Sequence, residues 1–338
     1  MTEPDAFSQI HRYGFGFSLS RAIYAVADVG VPDALGDGAE TADALAQKVG
    51  VHPDALFRLL RLLSGHGIFC EEGGHFTHTE QSRLLRSDHP QSQRAFIRIN
   101  SISWKLFAAL PQTLRTGRPA TETLAPGGLF EYLGSHPDEA RVFNEAMTSK
   151  ANMDIGSVLH VYDFSGFPLI ADVGGGRGHL IKAILKATPN AKGILFDLPQ
   201  VASESSGAPF ERLSVQGGDF FKSALPVCDA YLLMQVIHDW ADPEAVSILE
   251  AVRRAAPAHA KLLVIETLMP EKPAPGPVGA HPAVWLDVAM LVWSGGRERS
   301  LRQYEVLLGH AGFNLSRVIP TQSGMSLLEC TPRASAST

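Results

Sequence analysis

Apolar residues in the first hundred positions recur with the three-to-four-residue spacing of amphipathic helices. Leu19, Ile23 and Val26 form one apolar stripe. Further along, Thr41 and Gly50 bracket a short periodic segment as an N-cap and a C-terminal stop. The pattern therefore predicts a mainly helical N-terminal region.

A leucine-rich helix is predicted to begin at Pro53, and two short β-capable runs around positions 72–74 indicate a hairpin. Helix, turn, helix and hairpin together resemble a winged helix, whose second helix can read DNA. That helix has only Arg58 and Arg61 among its leucines, and its nearly all-round apolar character is typical of a core or a subunit interface. We therefore expect residues 1–100 to form a winged-helix-like dimerisation domain rather than a DNA-binding one.

Residues 101–162 also have helical spacing, and from Pro168 the pattern changes to short apolar strands that alternate with helices. The strands are predicted at 168–173, 193–197, 213–219, 230–236 and 261–266. Such alternation is typical of a parallel sheet with helices on both faces, which binds its ligand at the carboxyl ends of the strands. We therefore expect an α/β domain over 101–338, in which 101–162 are connecting helices that help to line a substrate pocket.

Composition narrows the class of protein without identifying it. The chain has 338 residues, of which 45% are hydrophobic and 19% charged, and its formal net charge is −6. This acidity gives no general attraction to nucleic acid or to anionic membranes, and no apolar run approaches the roughly 20 residues of a membrane span. Three widely separated cysteines argue against a disulfide framework or a cysteine zinc site. We expect a soluble cytoplasmic enzyme with neither nucleic acid nor membrane as a partner.

A glycine-rich turn follows the first strand of the predicted sheet. A dinucleotide fingerprint would require glycine or alanine at position 179, where the chain has His179. The alternative spacing, an acidic residue followed by alternate glycines, is met by Asp172, Gly174, Gly176 and Gly178. It resembles the first motif of S-adenosylmethionine-dependent methyltransferases, in which glycines let the backbone approach the cofactor closely. A tight strand-to-helix connection without a ligand is the alternative interpretation.

The next two strands end in residues that would suit the same cofactor. The second strand ends in Asp197, whose carboxylate can accept hydrogen bonds from both ribose hydroxyls, and Leu198 follows it. The third strand ends in Gly218 and Asp219, and Phe220 comes next. The aspartate can accept a hydrogen bond from the adenine amino group while the phenyl ring packs on the base. Motifs at three successive strand ends favour a cofactor site over a bare turn.

Motifs spread over most of the chain occur in the order and at the separations of one enzyme family. They are GGGRGH, FDLPQV, GDFF, VIHDWADPEA, VIETLMP and SGGRERS. Together they resemble the small-molecule O-methyltransferases of the caffeate and acetylserotonin type, and most of all the bacterial members that tailor antibiotics. The resemblance implies S-adenosylmethionine as cofactor, a Rossmann-like sheet, a homodimer formed through the N-terminal domain, and a small aromatic substrate.

The resemblance also implies a catalytic group around His238, at the end of the fourth strand. A neutral hydroxyl is a poor nucleophile, and a histidine with a reference pKa of about 6.5 can accept its proton during in-line methyl transfer. Glu266 and Glu298 match the two family glutamates that bracket this histidine and would fix its tautomer. For Glu298, a surface ion pair with Arg297 or Arg299 is the alternative. No metal ion is implied, and the histidines show no convincing metal-ligand spacing.

Further residues are assigned to the cofactor or to the methyl acceptor. Met234 stands where family members often have a lysine that contacts the cofactor, so a backbone or van der Waals contact is expected. Asp239 either contacts a ligand or caps the helix that starts at Asp242. A pocket for a flat aromatic acceptor is predicted from Phe143, Met147, Trp285, Met290 and Trp293. Helical spacing would equally place these five side chains in an ordinary core.

Other functions stay open at this level. The same scaffold could bind S-adenosylmethionine and catalyse hydroxylation, decarboxylation or cyclisation, because a fold does not determine a function. An amine could replace the hydroxyl as methyl acceptor. Outside enzymes, the alternative is a winged-helix regulator that senses a small ligand, against which the acidic charge and the leucine-rich second helix count.

Overall fold

The computed structural model describes residues 5–125, 127–205, 210–272 and 281–334. The chain forms two compact units, one of Met1–Trp104 with Pro137–Lys150 and the other of Lys105–His136 with Ala151–Thr338. Among the described residues, no helix is both long and apolar enough to cross a membrane.

The helices are, in chain order, α1 (Ala6–Gly14), α2 (Gly16–Asp28), α3 (Val31–Leu35), α4 (Ala42–Val49), α5 (Pro53–Gly65), α6 (Glu80–Arg83), α7 (Arg94–Arg98), α8 (Asn100–Ala108), α9 (Leu110–Thr116), α10 (Gly128–Ser135), α11 (Pro137–Val161), α12 (His179–Ala187), α13 (Pro199–Ser205), α14 (Asp242–Ala255), α15 (Pro282–Trp293) and α16 (Leu301–His310). The strands are β1 (Glu40–Thr41), β2 (Phe69–Glu72), β3 (His75–His78), β4 (Leu169–Val173), β5 (Lys192–Asp197), β6 (Leu213–Gly217), β7 (Ala230–Met234), β8 (Lys261–Thr267), β9 (Phe313–Pro320) and β10 (Met325–Pro332). Two short 3₁₀ turns span Ala120–Thr123 and Ile237–Asp239.

The N-terminal unit combines helices with a small antiparallel sheet of order β1-β3-β2. The predicted caps of α4 are present, because Thr41 accepts a hydrogen bond from the Ala44 N–H at 3.2 Å and Gly50 ends the helix in the left-handed conformation. The predicted hairpin is formed by β2 and β3, which turn at Gly73 and Gly74. The helix, helix and hairpin sequence expected from the pattern is therefore confirmed.

Helix α5 differs from the prediction that it is apolar on nearly every side. Leu56, Leu60 and Leu63 are buried in the core, whereas Arg61 and Leu62 are exposed. Spacings of four and three residues place the buried leucines on one face, so the helix is amphipathic.

One seven-stranded sheet of order β6-β5-β4-β7-β8-β10-β9 dominates the second unit. The five strands predicted from the sequence are the five parallel strands β4 to β8. Two further strands that the sequence pattern did not predict, β9 and β10, form an antiparallel hairpin on the edge of this parallel sheet. A short turn without a helix joins these two strands, and such a connection permits only antiparallel pairing.

Apolar side chains cover both faces of this sheet. Along β7, Tyr231 and Leu233 pack in the layer that contains α14 and α16, whereas Ala230 and Leu232 pack in the layer that contains α12. Because alternate residues of a central strand are buried on opposite faces, such strands are apolar almost without interruption.

The strand order reverses between β4 and β7. From β4 the chain proceeds outward through β5 to β6 and then returns to β7 on the other side of β4. A doubly wound sheet opens a crevice at the carboxyl ends of its strands where the order reverses. The glycine turn after β4 and the His238 turn after β7 therefore lie at one edge.

Candidate active site

His238 lies on a short turn that begins where β7 leaves the sheet. The Gln235 N–H makes a last bond to the Ile265 carbonyl oxygen at 3.0 Å, and Gln235 then adopts a φ of 53°. Residues other than glycine seldom occupy this left-handed region, and such strain is concentrated at functional sites. The change of direction leads into the 3₁₀ turn Ile237–Asp239, in which His238 is 6% exposed. No sequence signal indicated this strained residue.

Two buried glutamates approach the Nδ1 side of the His238 ring. Glu298 Oε1 lies 2.7 Å from Nδ1, and Glu266 Oε2 lies 3.6 Å from the same atom. Glu266 Oε1 accepts hydrogen bonds from the N–H groups of Ile237 at 2.9 Å and of His238 at 3.2 Å. Glu266 thus holds the turn while Glu298 holds the ring. An acceptor on Nδ1 favours the tautomer whose Nε2 can take up a proton.

Asp239 lies on the opposite side of the imidazole. Its Oδ1 is 3.7 Å from His238 Nε2, and its side chain is 36% exposed. The alternative role of helix cap finds no support in the described part of the chain, since α14 starts at Asp242 with Ala241 as a cap that makes no side-chain bond. Asp239 therefore lies on the Nε2 side of the His238 ring, where the side chains are more exposed.

Burial and neighbouring charges shift the pKa values of this group. Burial alone would lower the pKa of His238, but the carboxylates of Glu266, Asp239 and Glu298 outweigh it and raise this pKa to about 10. Burial raises the pKa of the Glu266 carboxyl to about 7, against the opposing effect of His238. The three carboxylates therefore stabilise the imidazolium, the form that His238 takes once it has accepted a proton.

The segment 296–299 packs against the turn that carries His238 and is hydrogen-bonded to it. The Arg297 N–H donates to the His238 carbonyl oxygen at 2.8 Å. A side chain at Gly296 would overlap that same oxygen, so this close approach requires glycine. The predicted alternative for Glu298 is wrong, because its carboxylate is fully buried on His238, while Arg297 and Arg299 form their ion pairs with Asp242.

The glycine turn after β4 presents backbone without side chains at the edge of the sheet where the His238 turn also lies. Gly176 has a φ of 59°, and a Cβ added there would meet no atom within 4 Å. Gly178, also left-handed, precedes α12, whose N-terminal N–H groups carry partial positive charge. A ligand can therefore approach the main chain closely at this point.

The aspartates after β4 and β5 have different surroundings. Asp172 is 1% exposed beneath the turn, where a Cβ on Gly175 would overlap its carboxyl group, and burial raises its pKa to about 7. Asp197 accepts hydrogen bonds from the N–H groups of Gly176 and Leu198, each at 2.7 Å. Asp172 thus lies buried directly beneath the turn, whereas Asp197 ties the turn to β5 at the open edge.

The predicted residues after β6 lie beside the histidine turn. Asp219 accepts a hydrogen bond from the Phe221 N–H at 2.9 Å, which lowers its pKa, and it pairs with Lys222 at 3.0 Å. The Phe220 ring meets Trp240 edge-on, with 5.9 Å between centroids. Phe220 therefore connects this strand end with the turn that carries the histidine.

The two remaining cofactor candidates are backbone neighbours of these groups. The Gly218 N–H donates to the Asp197 carbonyl oxygen at 2.8 Å. Met234 is the half-buried last residue of β7 and pairs in register with Ile265. Both positions border the carboxyl ends of the parallel strands.

The five predicted acceptor contacts fall into two groups. Phe143 and Met147 lie on α11, in the stretch assigned to the N-terminal unit. Trp285, Met290 and Trp293 lie on α15 in the other unit, and their environments range from 56% exposed at Trp285 to 8% at Trp293. The exposed fractions of these side chains therefore do not identify any of the five as an acceptor contact.

Both parts of the chain match known domain families. Residues 107–314 match the O-methyltransferase domain, and residues 11–88 match the O-methyltransferase dimerisation domain. Phenazine O-methyltransferase of Lysobacter antibioticus is 37% identical over 326 residues, which cover 94% of each chain. An 8-amino-8-demethylriboflavin N,N-dimethyltransferase of Streptomyces davaonensis is 33% identical over 97% of this chain and 96% of its own. Human N-acetylserotonin methyltransferase, solved with S-adenosylmethionine, superposes with a TM-score of 0.89 at 28% identity over 98% of this chain and 99% of its own.

Proposed function

The chain belongs to the O-methyltransferase family, whose cofactor is S-adenosylmethionine, and from this premise we propose that it methylates a hydroxyl of a small aromatic natural product. The observation that carries the proposal is the hydrogen bond between His238 and the buried Glu298, beside the glycine turn. The phenazine O-methyltransferase supports a flat polycyclic acceptor.

The residues after β4, β5 and β6 fit the cofactor. Gly176 offers unobstructed backbone, and the carboxylate of Asp197 beside it keeps lone pairs for the ribose hydroxyls. Asp219 and Phe220 would hold the adenine, while Asp172 supports the turn. When bound, S-adenosylmethionine supplies an electrophilic methyl group and leaves as the thioether S-adenosylhomocysteine.

His238 is the general base in this proposal. With Nδ1 bonded to Glu298, Nε2 takes the hydroxyl proton as the acceptor oxygen attacks. Glu266 keeps the turn in place, and the carboxylates stabilise the imidazolium that forms. The chemistry needs no metal ion, although ligand atoms of His238, Glu266 and Glu298 lie within 4.8 Å of one another.

The test is incubation with methyl-labelled S-adenosylmethionine and matched aromatic acceptors that carry either a hydroxyl or an amine, with and without EDTA. We expect label on the phenolic oxygen, one S-adenosylhomocysteine per methyl group, and no effect of the chelator. Preference for the amine would favour N-methylation, the activity named for the riboflavin-type relative. Product without S-adenosylhomocysteine would indicate a non-methylating reaction, and loss of activity in EDTA would contradict the metal-free mechanism.

A homodimer formed through the N-terminal domain is part of the proposal. Helix α1 buries none of its residues, and Phe7, Ile10 and Tyr13 are 77%, 67% and 52% exposed. A stripe of large apolar side chains on one helix is a common mark of a protein interface. The match of 11–88 to a dimerisation domain supports a second copy of this chain as the partner.

We expect Phe7→Glu combined with Ile10→Glu to shift the protein from dimer to monomer, because charges would replace apolar contacts. Light scattering after size-exclusion chromatography measures the mass directly. Arg12→Ala, at another exposed position of α1, is the matched control and should remain dimeric. An unchanged dimer in the double variant would show that this stripe is not the interface.

A further inference from the structure

Arg299 is a fully buried cation whose side chain binds the histidine turn. It follows Glu298 directly and is 1% exposed. Its Nη1 donates to the Ile237 carbonyl oxygen at 3.0 Å, and its Nη2 donates to the Trp240 carbonyl oxygen at 2.8 Å. The guanidinium thus spans the turn on which the catalytic histidine lies.

The same guanidinium also connects the turn to the helix that follows. Its Nε and Nη2 donate to Asp242 Oδ1 at 3.0 and 2.7 Å, and Asp242 is the first residue of α14. Only arginine has a planar set of donors that can serve two carbonyls and a carboxylate together. A lysine would keep the charge but would lose this geometry.

Arg299 and Glu266 hold complementary groups of the same turn. Glu266 accepts from the N–H groups of Ile237 and His238, while Arg299 donates to the carbonyls of Ile237 and Trp240. Both polar groups of Ile237 are therefore fixed by charged side chains. The backbone of Arg299 is itself anchored, since its carbonyl accepts from the Met269 N–H at 2.9 Å just beyond β8.

We propose that Arg299 is a positioning residue that sets the orientation of His238 toward the methyl acceptor. A buried charge is costly unless it is well paired, and a core of similar volume could be built from apolar side chains. Its hydrogen bonds go to the turn that bears the general base, and a base displaced by about 1 Å can cost a factor of about 100 in rate. This inference rests on the proposed function, because it acts through His238.

The expected effect of Arg299→Lys is a fall in kcat of about 10- to 100-fold, with KM and S-adenosylhomocysteine affinity close to those of the wild type. The decisive readout uses two acceptors, an ordinary phenol and an acidic nitrophenol that is already ionised at the assay pH. Because the ionised phenol needs no base, we expect a much smaller loss with it. In a His238→Ala background, Arg299→Lys should add little further loss.

Arg302→Lys, at an exposed position of α16, is the matched control and should behave like the wild type. Asp242→Asn removes the carboxylate anchor while Arg299 stays, and should give a weaker form of the same substrate-dependent loss even if Arg299→Lys fails to fold. Equal losses on both phenols, or an unchanged kcat, would overturn the positioning role. A wild-type enzyme that methylates neither phenol would contradict the proposed function and, with it, this role of Arg299.

Discussion

Replacing His238 by alanine should lower kcat by about 10²- to 10⁴-fold, the usual contribution of a general base. The change removes the imidazole that Glu298 holds at 2.7 Å, so the hydroxyl must lose its proton to water. S-adenosylhomocysteine affinity should stay close to that of the wild type, because the glycine turn and Asp197 are untouched. Steady-state kinetics with a phenolic acceptor and calorimetric titration with S-adenosylhomocysteine measure the two quantities.

The acidity of the acceptor distinguishes lost base catalysis from general damage. An acidic nitrophenol that is already ionised should recover most of the lost rate, since its proton needs no acceptor. His259→Ala changes an exposed histidine that pairs with Asp229 at 2.9 Å, and it should leave turnover unchanged. Full activity of His238→Ala on the ordinary phenol would refute the assignment of the base.

The proposed catalytic group could be assembled from the sequence because two of its members follow from strand order as well as from motifs. His238 lies just after β7, and Glu266 lies near the end of β8. These two strands are adjacent and parallel. Parallel strands bring their carboxyl ends to one edge, so two polar residues there must be neighbours. The contact of Glu298 with His238 could not be obtained in this way, because it depends on the close approach of Gly296 to the turn.

Other features depend on tertiary geometry that has no local signal. The left-handed backbone conformation of Gln235 results from the sheet before it and the hydrogen-bonded turn after it. The neighbouring sequence predicts an ordinary strand instead. The antiparallel hairpin β9–β10 lies beyond the last strand predicted from the sequence, because no helix separates its two strands and the strand-helix alternation that located β4 to β8 ends at α16. The role proposed for Arg299 could not be predicted from the sequence either, because an arginine next to a glutamate predicts an ion pair between the two.

Glu298→Gln should move the acidic limb of the pH–rate profile to lower pH by about one to two units and lower the maximum kcat about tenfold. Neutral His238 is the active form, so the rate rises as pH passes through its pKa, which the surrounding carboxylates raise. Removing one carboxylate charge favours the neutral ring, and the limb therefore shifts downward. A charge-assisted hydrogen bond contributes about 1.5–3 kcal/mol, and about 1.4 kcal/mol corresponds to one pH unit.

The lower maximum has the same cause as the shift. Without the Glu298 charge the imidazolium formed during methyl transfer is less stable, so a histidine that is more often neutral is also a weaker base. The profile should be measured as kcat against pH for wild type and variant on the same ordinary phenol, so that ionisation of the acceptor is common to both, with Glu305→Gln on α16 as an exposed control of equal charge change. A limb that stays in place or moves upward would mean that Glu298 does not stabilise the protonated histidine, and that the rate depends on another titrating group.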